Sequence, residues 1–170
     1  MITLDIETTG LDPVKNSIVS IGAIDFDSGE TFYRECQIRP NTLVDEFALK
    51  VNGFSLEQIS AISKKPYPYE IVSEFIDWVQ KFNDKLLSGQ QVGSFDIPFI
   101  RYEFDNYLRP QVWPFGHRSV DLHSIAFAKF KESLSLDGIL RELGLYPEPK
   151  PHHALTGATL ERRAFQLLLS

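Results

Sequence analysis

The chain has 170 residues, enough to bury a hydrophobic core, and we expect residues 1–170 to form one domain. Its composition, 43% apolar and 24% charged, is ordinary for a globular protein. The chain has no run of about 18 apolar residues, so we expect no membrane-spanning helix. The net charge of −6 argues against a protein that binds nucleic acid mainly by long-range attraction to phosphates. The negative charge does not exclude an enzyme that binds a few nucleotides in a cleft, because metal ions supply positive charge there.

The single cysteine, Cys36, excludes a disulfide within the chain, and the first residues carry no signal-peptide pattern. We therefore expect a cytoplasmic protein with no membrane partner.

The first forty residues predict an antiparallel meander of three strands, because apolar, β-branched segments are separated by turns rich in glycine and aspartate. The rest of the chain has mainly helical periodicity, interrupted by two short strand-like segments. This order predicts a mixed α/β sheet flanked by helices. The predicted strands are residues 1–7, 18–26, 31–38, 86–89 and 120–122. One helix is predicted to begin at Ser55, and the other predicted helices are residues 69–82, 94–108, 123–130, 135–143 and 154–169.

The first predicted strand carries two carboxylates that alternate with apolar residues. In an extended strand Asp5 and Glu7 project from one face, while Leu4 and Ile6 point into a core. Two carboxylates on a rigid strand are oxygen ligands of the kind that Mg²⁺ and Mn²⁺ prefer. Taken alone, the pair is also compatible with an acidic strand end whose charges are solvated.

Two later segments carry further candidate site residues. Asp96 lies at the start of a predicted helix, where a simple N-terminal cap is the alternative interpretation. His152 precedes the last predicted helix. An imidazole titrates near neutral pH and is suited to accept a proton from water.

Segments 5–10, 89–96 and 151–158 resemble, in order, the three exonuclease motifs of the DEDD (DnaQ-like) superfamily, in the subgroup with a catalytic histidine. The resemblance implies a ribonuclease H-like mixed sheet with flanking helices and the Asp5 strand at its centre. It also implies a site for two Mg²⁺ or Mn²⁺ ions, with Asp5, Glu7 and Asp96 as ligands and His152 as the general base. In the second motif, Gln90-Gln91 stands where the family usually has His-Asn.

The third motif departs from the family pattern of a histidine, four residues and an aspartate. Counted from His152, the aspartate position is Gly157. Glycine inside a helix is about 1 kcal/mol less favourable than alanine. Nothing in the local sequence asks for glycine here, so we interpret Gly157 as a lost functional side chain and expect Gly157→Asp to raise activity. Glu161, one turn later on the same face, is an alternative carboxylate that this argument does not favour.

The resemblance implies a metal-dependent 3′–5′ exonuclease that releases nucleotides from the 3′ ends of single-stranded DNA or RNA, with activity intact or impaired by Gly157. The alternatives are a catalytically inactive nucleic-acid-binding or interaction domain on the same scaffold, and a ribonuclease H-like endonuclease. A polymerase or another protein is an expected partner. The residues expected to bind the terminal nucleotide are Thr8, Thr9, Gly10, Val51, Asn52 and Phe54.

Overall fold

A computed structural model describes residues 1–170 and contains five strands that form one mixed sheet. The first three strands pair antiparallel, and the last two join them in parallel. The strands are β1 (Ile2–Thr8), β2 (Ile18–Asp25), β3 (Thr31–Glu35), β4 (Leu87–Gly89) and β5 (Ser119–Asp121). Their order across the sheet is β3-β2-β1-β4-β5, so the strand that carries Asp5 is central. The predicted mixed sheet with an initial meander is confirmed.

Seven α-helices and one 3₁₀ turn, Ala61–Ser63, connect and cover the strands. The predicted capping box at Ser55 is present, because its hydroxyl accepts from Gln58 N–H while the Gln58 side chain accepts from Ser55 N–H. The helices are α1 (Glu46–Asn52), α2 (Leu56–Ile59), α3 (Pro68–Val79), α4 (Asp96–Tyr107), α5 (Leu122–Phe130), α6 (Leu136–Glu142) and α7 (Ala154–Leu168). None of them is both long and apolar enough to cross a bilayer.

The third strand ends three residues earlier than predicted. Beyond Cys36 the main chain bonds to other segments: the N–H of Gln37 donates to Pro66 O over 2.9 Å, and that of Ile38 donates to Ile59 O at the end of α2 over 2.7 Å. Cys36 is buried, and its main-chain N–H still donates to Val19 O on β2 over 2.9 Å.

The two faces of β1 have different neighbours. Ile2, Leu4 and Ile6 are buried in the larger hydrophobic cluster, which joins the sheet to α3 and α4. A second cluster holds α5, α6 and α7 together. Asp5 and Glu7 alternate with the apolar residues and therefore face the α7 side of the sheet.

Gly22 allows α7 to lie close to the sheet. Gly22 pairs with Asp5 across the β1–β2 ladder. A Cβ at Gly22 would overlap the main chain of Ala154 and Leu155, at the start of α7. The missing side chain therefore lets the helix begin directly beside the aspartate.

Candidate active site

Asp5 and Glu7 lie in a cleft of about 520 Å³ between the end of β1 and the segments around α1, α4 and α7. Both carboxylates are partly buried, whereas Leu4 and Ile6 between them are buried in the core. A shift in register between Glu7 and Thr8 ends the regular β1–β2 pairing just beyond the two carboxylates. Such bulges are common where a strand has to aim side chains into a site.

Asp96 reaches the same cleft from the start of α4. Its Oδ1 accepts a hydrogen bond from the main-chain N–H of Ile6 over 3.0 Å, although the two residues are 90 positions apart. Only 2% of Asp96 is exposed. The Asp96 carboxylate thus connects the N-terminus of α4 to β1 at the residue between Asp5 and Glu7. A residue that only capped its own helix would not make this contact.

His152 lies at the border of the cleft, in the segment that precedes α7. Its main-chain N–H donates to Val51 O over 2.9 Å, which fixes this segment to α1. Its Nδ1 lies 3.3 Å from Oε2 of Glu148. The neighbouring His153 points elsewhere and stacks on Tyr33, with ring centroids 4.4 Å apart.

Glu148 was not singled out by the sequence. It is buried, and its Oε1 accepts from His153 N–H over 3.3 Å while Oε2 faces His152. Ligand atoms of Glu7, Glu148 and His152 all lie within 4.8 Å of one another, a spacing at which they could hold a metal ion. Glu148 lies in a proline-rich connector, where sequence spacing gives no direction for a side chain.

Burial and mutual repulsion raise the pKa values of the carboxyl groups in this cleft. Burial, with a smaller contribution from Glu148, raises the pKa of Glu7 to about 8. Burial also raises the pKa of Asp5 well above its usual range, and the next contributions come from Glu161 and Asp96. A group of carboxylates that resist losing their protons together is a strong binding site for a multivalent cation. These donors therefore fit a divalent metal.

Gly157 lies on α7 directly above Asp5. A Cβ at this position would overlap Oδ2 of Asp5. The local sequence does not show this contact, because Asp5 lies on a strand 152 positions earlier in the chain. That Gly157 is a lost functional side chain stays a prediction. Without a side chain at position 157, the Asp5 carboxylate can lie against the helix.

Glu161, one turn further along α7, also reaches the cleft. Its side chain lines the cleft and only 2% of the residue is exposed. The sequence argument did not favour this residue, although the four-residue spacing from Gly157 places both positions on the same helical face.

The three residues after Glu7 use their polar groups mainly within the protein. Thr8 Oγ1 donates to Gly10 O over 2.7 Å, and Thr9 Oγ1 donates to Leu43 O over 2.9 Å. Thr8 lines the cleft, whereas Thr9 is fully buried. A Cβ at Gly10 would lie 2.5 Å from Nδ2 of Asn16, so glycine is needed here for close packing.

The predicted nucleotide-binding residues of α1 divide into two groups. Val51 and Asn52 line the cleft, and the Asn52 amide donates to Thr8 O over 3.0 Å. Phe54 is not among the cleft-lining residues, and its ring lies 5.3 Å from Nζ of Lys65.

Three further residues at the cleft have chemistry suited to a nucleotide. Leu11 and Phe47 line the cleft although they are 83% and 71% exposed, so they present apolar surface at its mouth. Lys150 lines the same cleft and places a positive charge near His152. Exposed apolar side chains and a single lysine carry no distinctive sequence signal.

Comparison with known proteins gives matches along almost the whole chain. The RNase T exonuclease family model matches residues 2–160. The 3′-5′ DNA exonuclease Cap18 of Escherichia coli is 30% identical over 175 residues, covering 98% of this chain and 90% of that protein. The DNA polymerase III subunit epsilon of Pasteurella multocida is 34% identical over 112 residues, but the match covers only 61% of this chain and 41% of that protein.

Solved structures of exonucleases share the fold. The nuclease domain of 3′hExo, a DEDDh family member bound to rAMP, has a TM-score of 0.74 at 18% identity, over 96% of this chain and 88% of that chain. E. coli Exonuclease I in complex with a dT13 oligonucleotide has a TM-score of 0.79 at 19% identity, over 99% of this chain and 40% of that chain. The predicted ribonuclease H-like fold is confirmed.

Proposed function

This chain belongs to the DnaQ-like exonuclease family, and we propose that it is a metal-dependent 3′–5′ exonuclease that acts on single-stranded DNA ends. The observation that carries the proposal is the convergence of Asp5, Glu7 and Asp96 in one cleft with His152 at its border. These residues come from β1, α4 and the segment before α7, so only the fold brings them together.

Asp5, Glu7 and Asp96 would hold the divalent ions on which this family depends. Two bound ions would supply positive charge for the attacking and leaving oxygens of the phosphodiester. Mg²⁺ or Mn²⁺ suits an all-oxygen donor set of this kind. The free chain carries an excess of negative charge at this point, which the bound ions would offset.

His152 would accept the proton of the attacking water. Nδ1 lies 3.3 Å from Oε2 of Glu148, which would favour a proton on Nδ1 and leave Nε2 as the acceptor. Glu148 acts here as a positioning residue. It would set the orientation and tautomer of the imidazole.

The terminal nucleotide would lie between α1 and the start of the loop after β1. Phe47 and Leu11 offer apolar contact to a base, and stacking on an aromatic ring tolerates any base. Lys150 would contact a phosphate. A cleft of about 520 Å³ suits one or two nucleotides better than a duplex.

The matched region of Cap18, named as a DNA exonuclease, favours DNA over RNA as the substrate. A polymerase partner is a narrower proposal, supported by the epsilon subunits, of which the chain spans less than half. A cytoplasmic location stays a prediction.

The test uses a linear single-stranded DNA labelled at its 5′ end, with Mg²⁺ or Mn²⁺, and resolves the shortened products over time. A ladder that shortens from the 3′ end, with release of mononucleotides, is expected. The controls are Asp5→Asn, which should be inactive, and a circular single strand, which should be untouched. RNA of the same sequence tests the substrate preference.

Two results would contradict the proposal. Cleavage of the circular strand would indicate an endonuclease. Binding of metal and of single-stranded DNA without any nucleotide release would indicate an inactive domain on the exonuclease scaffold.

A further inference from the structure

Glu161 is a buried carboxylate with one unsatisfied oxygen. Only 2% of the residue is exposed, and its Oε2 has no hydrogen-bond partner. Its side chain lines the cleft beside Asp5 and Asp96. A buried carboxylate oxygen without a partner is destabilising unless a proton or a cation joins it.

The position of Glu161 follows from the helix and from two glycines. Side chains on a helix lean toward its N-terminus, so Glu161 leans toward the level of Gly157 four residues earlier. Gly157 has no side chain to obstruct it. On the sheet side, a Cβ at Gly89 would lie only 3.1 Å from Oε2 of Glu161. A side chain at position 89 would therefore reduce the space that the Glu161 carboxylate occupies.

No cationic side chain of the protein neutralises this group. None of the ion pairs in the structure includes Asp5, Asp96 or Glu161. Charge repulsion from Glu161 adds to burial in raising the pKa of Asp5, and repulsion from Asp96 adds to burial in raising that of Glu161. All three carboxylates line the same cleft, so a cation bound there would be attracted by each of them.

We propose that Glu161 is a ligand of the divalent metal together with Asp5 and Asp96, and that it supplies the carboxylate that position 157 lacks. The inference rests on the proposed metal-dependent function. Glutamate is one methylene longer than aspartate, which suits a ligand that approaches from one helical turn further away. In this chain, therefore, Gly157 and Glu161 form a compensating pair, and the glycine does not by itself imply lost activity.

The alternative is that Glu161 is a protonated packing residue with no contact to metal. Glu161→Gln separates the two, since it keeps the size of the side chain and removes only its ability to become an anion. A packing residue would tolerate this change with no effect on metal affinity. A metal ligand would not.

The experiment measures Mn²⁺ binding to the metal-free protein by titration calorimetry and by the loss of the free-Mn²⁺ electron paramagnetic resonance signal. The proteins are the parent, Asp5→Asn, Glu161→Gln and the control Glu142→Gln, which changes an exposed glutamate on α6. We expect Asp5→Asn and Glu161→Gln each to weaken binding at least tenfold, and the control to bind as the parent does. Mn²⁺ should also raise the melting temperature of Glu161→Gln less than that of the parent.

Parent-like affinity in Glu161→Gln, with binding lost in Asp5→Asn, would overturn this inference and leave the proposed function standing. Absence of Mn²⁺ binding in the parent would overturn both. If circular dichroism shows that Glu161→Gln is unfolded, Glu161→Asp decides the question. Its shorter side chain should still fold but bind Mn²⁺ at least tenfold more weakly, and parent-like affinity would again overturn the inference.

Discussion

Glu148 lies outside the recognisable motifs but contacts two residues inside the third one, His152 and His153. It contacts His152 at Nδ1 and the main chain of His153, so it sets both the ring and the backbone of this segment. Its own main-chain N–H donates to Oδ1 of Asp137 over 3.0 Å, which anchors the connector to α6.

We expect Glu148→Gln to lower kcat by about 10- to 100-fold with little change in KM, the usual range for losing a partner that orients an active-site imidazole. Glutamine keeps the size of the side chain but loses the charge that holds the Nδ1 proton. The measurement is steady-state hydrolysis of a labelled oligonucleotide by Glu148→Gln, His152→Ala and the double variant. If the two residues act as a unit, the double variant is no slower than His152→Ala. Fully additive losses would contradict the positioning role.

A second prediction concerns a substitution at Gly157. In an ordinary helix, Gly→Ala is stabilising by about 1 kcal/mol. Here the new Cβ would overlap Oδ2 of Asp5, so the carboxylate has to turn away from the helix. We expect Gly157→Ala to weaken Mn²⁺ binding at least tenfold, as measured by calorimetry, and to show none of the helix stabilisation.

Thr159→Ala, at an exposed position on the same helix, is the control and should bind Mn²⁺ as the parent does. The same overlap opposes the gain in activity expected from sequence for Gly157→Asp. A faster Gly157→Asp enzyme would show that Asp5 moves aside freely, and that glycine is not required at this position.

At the scale of elements, the site depends on how closely α7 approaches the sheet. Gly22 on β2 lies opposite Asp5 on β1, and the first residues of α7 lie directly over it. The same helix carries Gly157 and Glu161 and follows His152. A small displacement of its N-terminus therefore moves several groups of the site at once.

We expect Gly22→Ala to destabilise the protein by about 1–3 kcal/mol, the usual cost of overpacking, and to lower activity even where the protein remains folded. The new methyl group would overlap main-chain atoms of Ala154 and Leu155, which cannot move without the helix. Chemical denaturation and the oligonucleotide assay measure the two effects. Gly116→Ala, which adds a methyl group where no atom lies within 4 Å, is the matched control and should change neither.

The sequence was sufficient for those parts of the site whose signals are local. Alternation along a strand gave the direction of Asp5 and Glu7, and capping residues marked helix ends such as Ser55 and Ser135. The contact between Glu148 and His152 was not predictable, because it depends on the path of a connector without regular structure.

The close contact between position 157 and Asp5 was hidden for a related reason. It arises only when α7 is placed on the sheet and the Asp5 rotamer is known. The approach that creates this contact depends in turn on Gly22, which in the sequence is only one small residue in a predicted strand. Contacts between elements far apart in the chain decide both features.

At the scale of the whole molecule, the cleft concentrates negative charge that the free protein has to tolerate. Asp5, Glu7, Asp96 and Glu161 all have raised pKa values, with burial as the largest cause in each. A folded state that binds protons more tightly than the unfolded state is stabilised at low pH and loses that stabilisation as pH rises through the folded-state pKa values.

For Glu7 this interval runs from its ordinary value of 4.5 to about 8. We therefore expect the melting temperature of the metal-free protein, measured in EDTA by calorimetry, to fall between pH 5 and pH 8.5 by about 5 °C or more. Saturating Mn²⁺ should remove most of this fall, because a bound cation favours the ionised carboxylates. Glu7→Gln, with one fewer acid to titrate, should give a shallower fall in EDTA than the parent. A melting temperature that stays level or rises over this range without metal would show that the cleft is not the main source of electrostatic strain.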